Sequence, residues 1–320
     1  MISNELKTTR DGFGQGLLEV GRQNPLVVGV CADLTESTRM LAFATEFPDR
    51  FIQVGVAEQN LAGVAAGLAL AGKIAFAGSY ACFHPANSWG VIRTSICYSN
   101  LNVKIVGGHA GLSAGEDGAT HQSLEDIATM RVLPNMTVIV PADGEEARKA
   151  TIAAATRKGP VYIRTSKLEV GTVTTESTPF DIGKAILLKN GSDITLIACG
   201  VMVARALLAA SELERHGISA AVLNMHTIKP LDTASIELSL ERSPLLLTLE
   251  DHQVIGGLGS AVAEHISQQM RPALLKIMGA QNTFGQSGPG NKVLDHYGLS
   301  IQKIVENSQH LLRRRNATFE

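Results

Sequence analysis

The segment GEDGATHQSLED, residues 115–126, sets four carboxylates and one histidine within twelve positions, and His109 stands twelve positions before His121. Imidazoles titrate near neutral pH and carboxylates accept hydrogen bonds, so His109, Asp117 and His121 form a set suited to gripping hydroxyls and passing protons among them. The same composition also suits a solvated surface loop. A second unusual carboxylate, Glu58, lies in QVGVAEQNLAGVAAG between an apolar strand and an apolar helix. Held partly dry, it would have a raised pKa and could share a proton with a ligand nitrogen. A helix-start glutamate satisfied by first-turn amides is the plainer alternative.

Such groups need a rigid edge to stand on. Apolar runs recur at LVVGVC (26–31), RFIQVGVAEQN (50–60), KIAFAGSY (73–80), NVKIVGG (102–108), MTVIVPAD (136–143) and GPVYIRTS (159–166). Bounded by Gly, Pro or Asn, they read as parallel strands covered on both faces. Between them LAGVAAGLALAG, NSWGVIRTSICYS, LEDIATMRVL and GEEARKATIAAATRK read as helices, which predicts an α/β, doubly wound sheet. Open parallel sheets bind ligands beyond the carboxyl ends of their strands. Those ends carry Asp33, Glu58, Tyr80 with Phe83, His109 and Arg164.

The run KLEVGTVTTESTPF breaks this rhythm. It divides the chain into a first domain over 1–170, a linker over about 171–180 and a second, smaller α/β domain over 181–320. In the latter DITLIACG, VARALLAASELERHG, ISAAVLNM, PLLLTLED, GSAVAEHISQQM and ALLKIMG restart the alternation.

Composition excludes several classes. With 45% hydrophobic and 18% charged residues over 320 positions, the chain is globular, not disordered. A net charge of −2 with mixed signs argues against nucleic acid or an anionic membrane as partner. LLRRRN near the C-terminus reads as a short solvated tail. The four cysteines lack CxxC pairing and sit in apolar runs, as free thiols of a reducing cytoplasm do. No apolar run approaches the ~18 residues that span a bilayer.

VGVAEQN, GGHAGLSAGEDGATHQSLEDIATMRVLPNMTVIVPAD, YIRTSK and MHTIKPLD resemble the C-terminal half of transketolase, from about Arg10 to about Phe284. The resemblance implies a pyrimidine-binding domain followed by the family's C-terminal domain, and thiamine diphosphate as cofactor. Glu58 then matches the carboxylate that hydrogen-bonds the aminopyrimidine and promotes its imino tautomer. Phe83 matches the aromatic stacked on that ring, with Tyr80 beside it, and Asp33 matches a cofactor-side aspartate. His109, Asp117 and His121 match groups that contact sugar hydroxyls, with His109 and His121 counted among the catalytic residues. Arg10, Ser37, His109 and Arg164 match the phosphate ligands. FHPANSW departs from the family's tyrosine-bearing segment at the pocket rim.

The GDG motif by which such enzymes hold Mg²⁺ and the diphosphate does not occur in this sequence, where EDG and ADG lack the leading glycine. The resemblance therefore implies one subunit of a split transketolase of the pentose phosphate type. An N-terminal partner subunit would hold the metal and diphosphate, in an α2β2 heterotetramer that binds sugar phosphates. Two alternatives belong to other classes. One is the β subunit of a 2-oxo-acid dehydrogenase, or a 1-deoxyxylulose-phosphate synthase; the number of hydroxyl-binding residues argues against it. The other is a catalytically inert assembly subunit, which the presence of Glu58 and Phe83 opposes.

Overall fold

The computed structural model describes residues 6–270 and 272–319, with side chains through Arg314. Among these, seven strands form the first sheet, in the order Thr227–Lys229, Thr137–Ile139, Val161–Arg164, Val103–Gly108, Ile74–Tyr80, Val27–Cys31, Phe51–Gln53. Six of them run parallel; Thr227–Lys229 is antiparallel and arrives from beyond the linker. The central strands are buried from end to end, which explains their unbroken apolar runs. Five strands form the second sheet, in the order Leu274–Ala280, Leu245–Gln253, Ile194–Ala198, Ala220–Asn224, Ile186–Lys189, with Ile186–Lys189 antiparallel at one edge.

The two sheets do not have separate interiors. Ile127, Met130 and Leu133 of the first domain share one buried cluster with Ile228, Ile236, Leu258 and Val262 of the second. Each such side chain contributes about 1.5–3 kcal/mol when fully buried, so the halves are welded by the same force that folds them. The stretch expected as a free linker is fastened too. Val170–Gly171 pairs antiparallel with Leu6–Lys7. Asp143, fully buried, caps the helix Gly144–Thr156 through Glu146 N and accepts from the amides of Val173 and Thr174 at 2.7 Å. Lys149 Nζ donates to the carbonyls of Thr175, Glu176 and Thr178. LLRRRN lies in the helix Ile301–Phe319, where Leu311 is buried and Arg313 and Arg314 are exposed.

The helix Thr9–Gln23 carries Arg10 in its first turn. Thr8 and Asp11 form a capping box at its start, and Thr9 Oγ1 accepts from Ser166 N at 2.7 Å, docking that start beside the end of Val161–Arg164. The helix reaches this place by lying very close to Gly144–Thr156. A Cβ on Gly12 would come within 1.8 Å of Gly144 O, so glycine is the only residue that permits the approach.

Four buried histidines give the fold a pH dependence. Burial lowers His84 to about 3 and His109, His226 and His252 to about 4. Unfolded imidazoles titrate near 6.5, so between pH 6.5 and 4 the unfolded chain binds protons that the native chain refuses, and stability falls as pH falls. Burial acts oppositely on four carboxyls, raising Glu146 to about 8, Glu250 to about 7, and Glu125 and Asp251 above their ordinary values. Their contribution is present at low pH and is lost as pH rises through those values. Each imidazole is shifted by two units or more and loses its contribution across most of the interval, which outweighs the carboxyls, so the urea midpoint is expected to be lower at pH 5 than at pH 7. An equal or higher midpoint at pH 5 would contradict the neutral burial of the histidines.

Candidate active site at the carboxyl edge of the first sheet

Parallel pairing brings the carboxyl ends of the first-sheet strands to one edge, and each delivers a side chain there. Ile74–Tyr80 ends in Tyr80 and turns into Phe83; the two rings stack with centroids 6.2 Å apart. Val103–Gly108 hands on to His109, whose ring centroid lies 4.0 Å from that of Tyr80. His121 returns from the far side of the 109–121 loop to meet Phe83 edge-on at 5.2 Å and Tyr80 at 6.1 Å. Four rings from three stretches of chain thus form one wall.

Arg10 stands against this wall. Its Nη1 donates to Ser37 O and to His109 Nε2, both at 3.3 Å. Arginine has only donors, so His109 Nε2 accepts, and neutral His109 must carry its proton on Nδ1. Burial first, then the charge of Arg10, depress the His109 pKa to about 4 and keep the ring neutral. His109 Nδ1 and Arg10 Nε are both buried with no partner inside the chain. Two orphaned donors in one place are costly unless a ligand accepts from them. Arg39 also crowds Arg10 and is itself held by Asp11 at 2.6 Å, so the corner favours an incoming anion. Ser37 contributes here through its carbonyl rather than its hydroxyl.

Asp117 accepts an ion pair from Lys167 Nζ at 2.9 Å, and Lys167 also reaches Glu116 at 3.5 Å. Sequence reasoning missed Lys167, although YIRTSK placed it three residues beyond a strand end. His121 Nδ1 pairs with Thr120 Oγ1 at 2.9 Å. Asp33 is exposed with a left-handed backbone (φ 59°), and its amide donates to Gln53 Oε1. Glu58 opens the helix Glu58–Leu70 and is half-buried. It lines an open cavity with Ala57, Gln59, Asn60 and Asn87. Val56 beside it is 77% exposed, so this chain supplies only part of the enclosure.

Arg164 requires a correction. It was expected to grip a phosphate through both prongs of its guanidinium. The structure puts it inside the protein, with Nε and Nη2 on Asp126 at 2.7 and 3.2 Å and Nη2 also on Ser123 O and Asp251 O. Only Nη1 lies outside these contacts. The small cavity it borders, with Thr9, Ser113, Thr165 and Asp251, holds about 10 Å³, room for a water and not a phosphate. Burial alone would raise the Asp126 carboxyl, but Arg164, His252 and the Tyr162 hydroxyl hold it below its ordinary value. The glycines of the loop are taken up by the second domain. Gly111 faces Asp251, Gly115 faces Gly288 and Gly290, and Gly118 faces Ser287.

The fold and this edge define an α/β protein with an aromatic, oxyanion-attracting cleft completed on one side by its second domain. The family model for the transketolase pyrimidine-binding domain matches residues 6–172, and that for the transketolase C-terminal domain matches residues 183–304. A putative transketolase C-terminal section of Methanocaldococcus jannaschii is 43% identical, covering 98% of this chain and 99% of that one. The 6-deoxy-6-sulfo-D-fructose transketolase subunit SqwH of Clostridium sp. (strain MSTE9) is 40% identical, covering 96% and 95%. A solved structure titled split gene transketolase, inactive beta4 tetramer, superposes with a TM-score of 0.90 at 45% identity, covering 96% and 99%. The chain belongs to the transketolase family. It is a subunit of the split type, carrying the pyrimidine-binding and C-terminal domains.

The family implies thiamine diphosphate. A half-buried carboxylate at an open cavity and the stacked Tyr80 and Phe83 rings fit an aminopyrimidine, which needs one proton-sharing acceptor and an aromatic face. Among the described residues no group of three His, Cys, Asp or Glu could hold a metal ion, and no helix is long and apolar enough to cross a membrane.

Removing Asp126 would strand the Arg164 charge. Asp126→Ala is expected to cost about 3–5 kcal/mol of stability, the usual toll of leaving a buried charge unpaired, read as a lowered urea midpoint. Replacing both residues, Asp126→Leu with Arg164→Met, should recover much of it. A single-variant loss below about 1 kcal/mol would show that the pair is not the tie it resembles.

Proposed function

We propose that this chain is the pyrimidine-side subunit of a two-chain, thiamine-diphosphate-dependent transketolase. It moves a two-carbon ketol unit from a ketose to an aldose, each bearing a terminal oxyanion. The observation that carries the reading is the convergence of Arg10, His109 and His121 on the Tyr80–Phe83 wall, with orphaned donors on Arg10 and His109. Thiamine diphosphate, when bound, supplies the nucleophilic carbon and the electron sink for carbon–carbon cleavage.

The chain's own residues do the rest. Glu58, at a helix start where the dipole favours its charge, holds and releases a proton at the pyrimidine nitrogen. Phe83 and Tyr80 give that ring an apolar face, and Asp33 borders the cofactor side. Neutral His109 donates from Nδ1 to a substrate hydroxyl without adding charge beside Arg10. His121 and Asp117 hold further hydroxyls, with Lys167 holding Asp117 in place. Arg10, aided by the Ser37 turn, attracts the terminal group. A guanidinium binds sulfonate as well as phosphate, and the relative named for a sulfosugar fits either. Mg²⁺ and the diphosphate fall to an N-terminal partner subunit, in an α2β2 assembly working in the cytoplasm.

The reading is tested by co-purifying the chain with its N-terminal-type partner and assaying ketol transfer from phosphorylated and sulfonated ketoses. Neither chain alone should turn over, and calorimetry of this chain alone should detect no micromolar binding of the cofactor. In the active complex Glu58→Gln should slow turnover by about 10²–10⁴-fold while assembly persists. Wild-type turnover in that variant would leave Glu58 a structural helix start and remove the main support for the mechanism.

A further inference from the structure

We infer that Asp251, in the C-terminal domain, is a positioning residue for the 109–121 loop, so that this domain takes part in the reaction by holding His109, Asp117 and His121 in register. The inference rests on the transketolase reading and deepens it by adding a residue.

The loop is difficult to hold. It leaves the sheet through His109 with φ 54° and passes Gly111, Gly115 and Gly118, all with positive φ. Between them the short 3₁₀ turn Leu112–Asp117 begins with no side-chain cap of its own. Asp251 supplies one from the other domain. Its Oδ1 accepts from Leu112 N at 2.7 Å and its Oδ2 from Ser113 N at 3.1 Å. Both are charge-assisted bonds to otherwise orphaned donors. Asp251 is 2% exposed, so no water competes for it, and Arg164 Nη2 fixes its carbonyl at 2.8 Å. Fit is close: a Cβ on Gly111 would stand 2.2 Å from Asp251 Oδ2.

A second tie works at the far end of the loop. Gln122 Nε2 donates to Gly115 O and to Gln286 O, both at 3.0 Å, joining the loop to itself and to the C-terminal domain. The residues with sugar-side roles lie between these anchors or next to them. Asp251 touches no reacting atom; it acts through the geometry of those that do, where a misplacement of 1 Å costs on the order of 10²-fold in rate.

The test uses the assembled two-subunit complex with Asp251→Asn, which keeps size but cannot accept from both amides. Amide exchange across Leu112–Gly118 should quicken by about tenfold or more, with other core amides unchanged. For a ketose phosphate donor kcat/KM should fall at least about tenfold, while hydroxypyruvate, which lacks the chain hydroxyls gripped by the loop, should lose less than about threefold. Unchanged exchange, or equal losses for the two donors, would overturn the inference. Should Asp251→Asn fail to fold, Gln122→Met removes the second tie and should show the same donor-selective loss on a smaller scale; equal losses there would overturn it as well. If the wild-type complex transfers no ketol unit from either donor, the transketolase reading fails, and the exchange measurement alone then decides whether Asp251 holds the loop.

Discussion

The Arg164 guanidinium and the Asp126 carboxylate lie inside the protein 2.7 Å apart, and much of the architecture answers to that pair. Two charges taken out of water cost several kcal/mol each unless every remaining donor and acceptor is matched. Here Tyr162 donates to Asp126, and the carbonyls of Ser123 and Asp251 accept from Arg164. Matching them requires a strand end of the first sheet, the descending limb of the 109–126 loop and a strand of the second sheet to meet at one point. Separating the domains would leave the pair itself intact but strip Arg164 of the Asp251 carbonyl and the buried Asp251 carboxylate of its two amide donors. The loop bearing His109, Asp117 and His121 is folded against the junction, not hung over the surface.

That junction divides the edge of the first sheet into two environments. On the closed side, Asp126, Asp251 and all of Arg164 but Nη1 are engaged by protein. On the open side, Arg10 and His109 keep donors that nothing in the chain satisfies. Burial keeps His109 neutral, so the corner carries one fixed positive charge from Arg10 and a polar but uncharged ring. The opening is wider near Glu58, where Val56, Gln59 and Asn60 face outward. This chain encloses Glu58 on one side only.

Much was legible along the chain because the relevant physics is local. Continuous apolar runs marked the buried parallel strands, since a strand covered on both faces has no polar side to show. Asp33, Tyr80, His109 and Arg164 could be assigned to one edge because parallel strands all point the same way. The family itself could be read from the GEDGATHQ segment and its upstream histidine. Length and small-residue content announced the helix Glu58–Leu70.

What tertiary structure alone decided is which polar groups remained free once the chain had folded. Nothing in YIRTSK says that the arginine will be consumed by Asp126, thirty-eight residues earlier, and by a carbonyl eighty-seven residues later. Nor does MHTIKPLD say that Thr227–Lys229 will cross back to extend the first sheet. Nor does GEDGATHQ say that its glycines, with Gly111, will give clearance for Ser287, Gly288 and Asp251. A sequence determines which residues carry charge and which faces must be buried, because those follow from each side chain and its near neighbours. Whether a charge is spent within the protein or offered to a ligand depends on partners brought from far along the chain, and only the packed fold settles that.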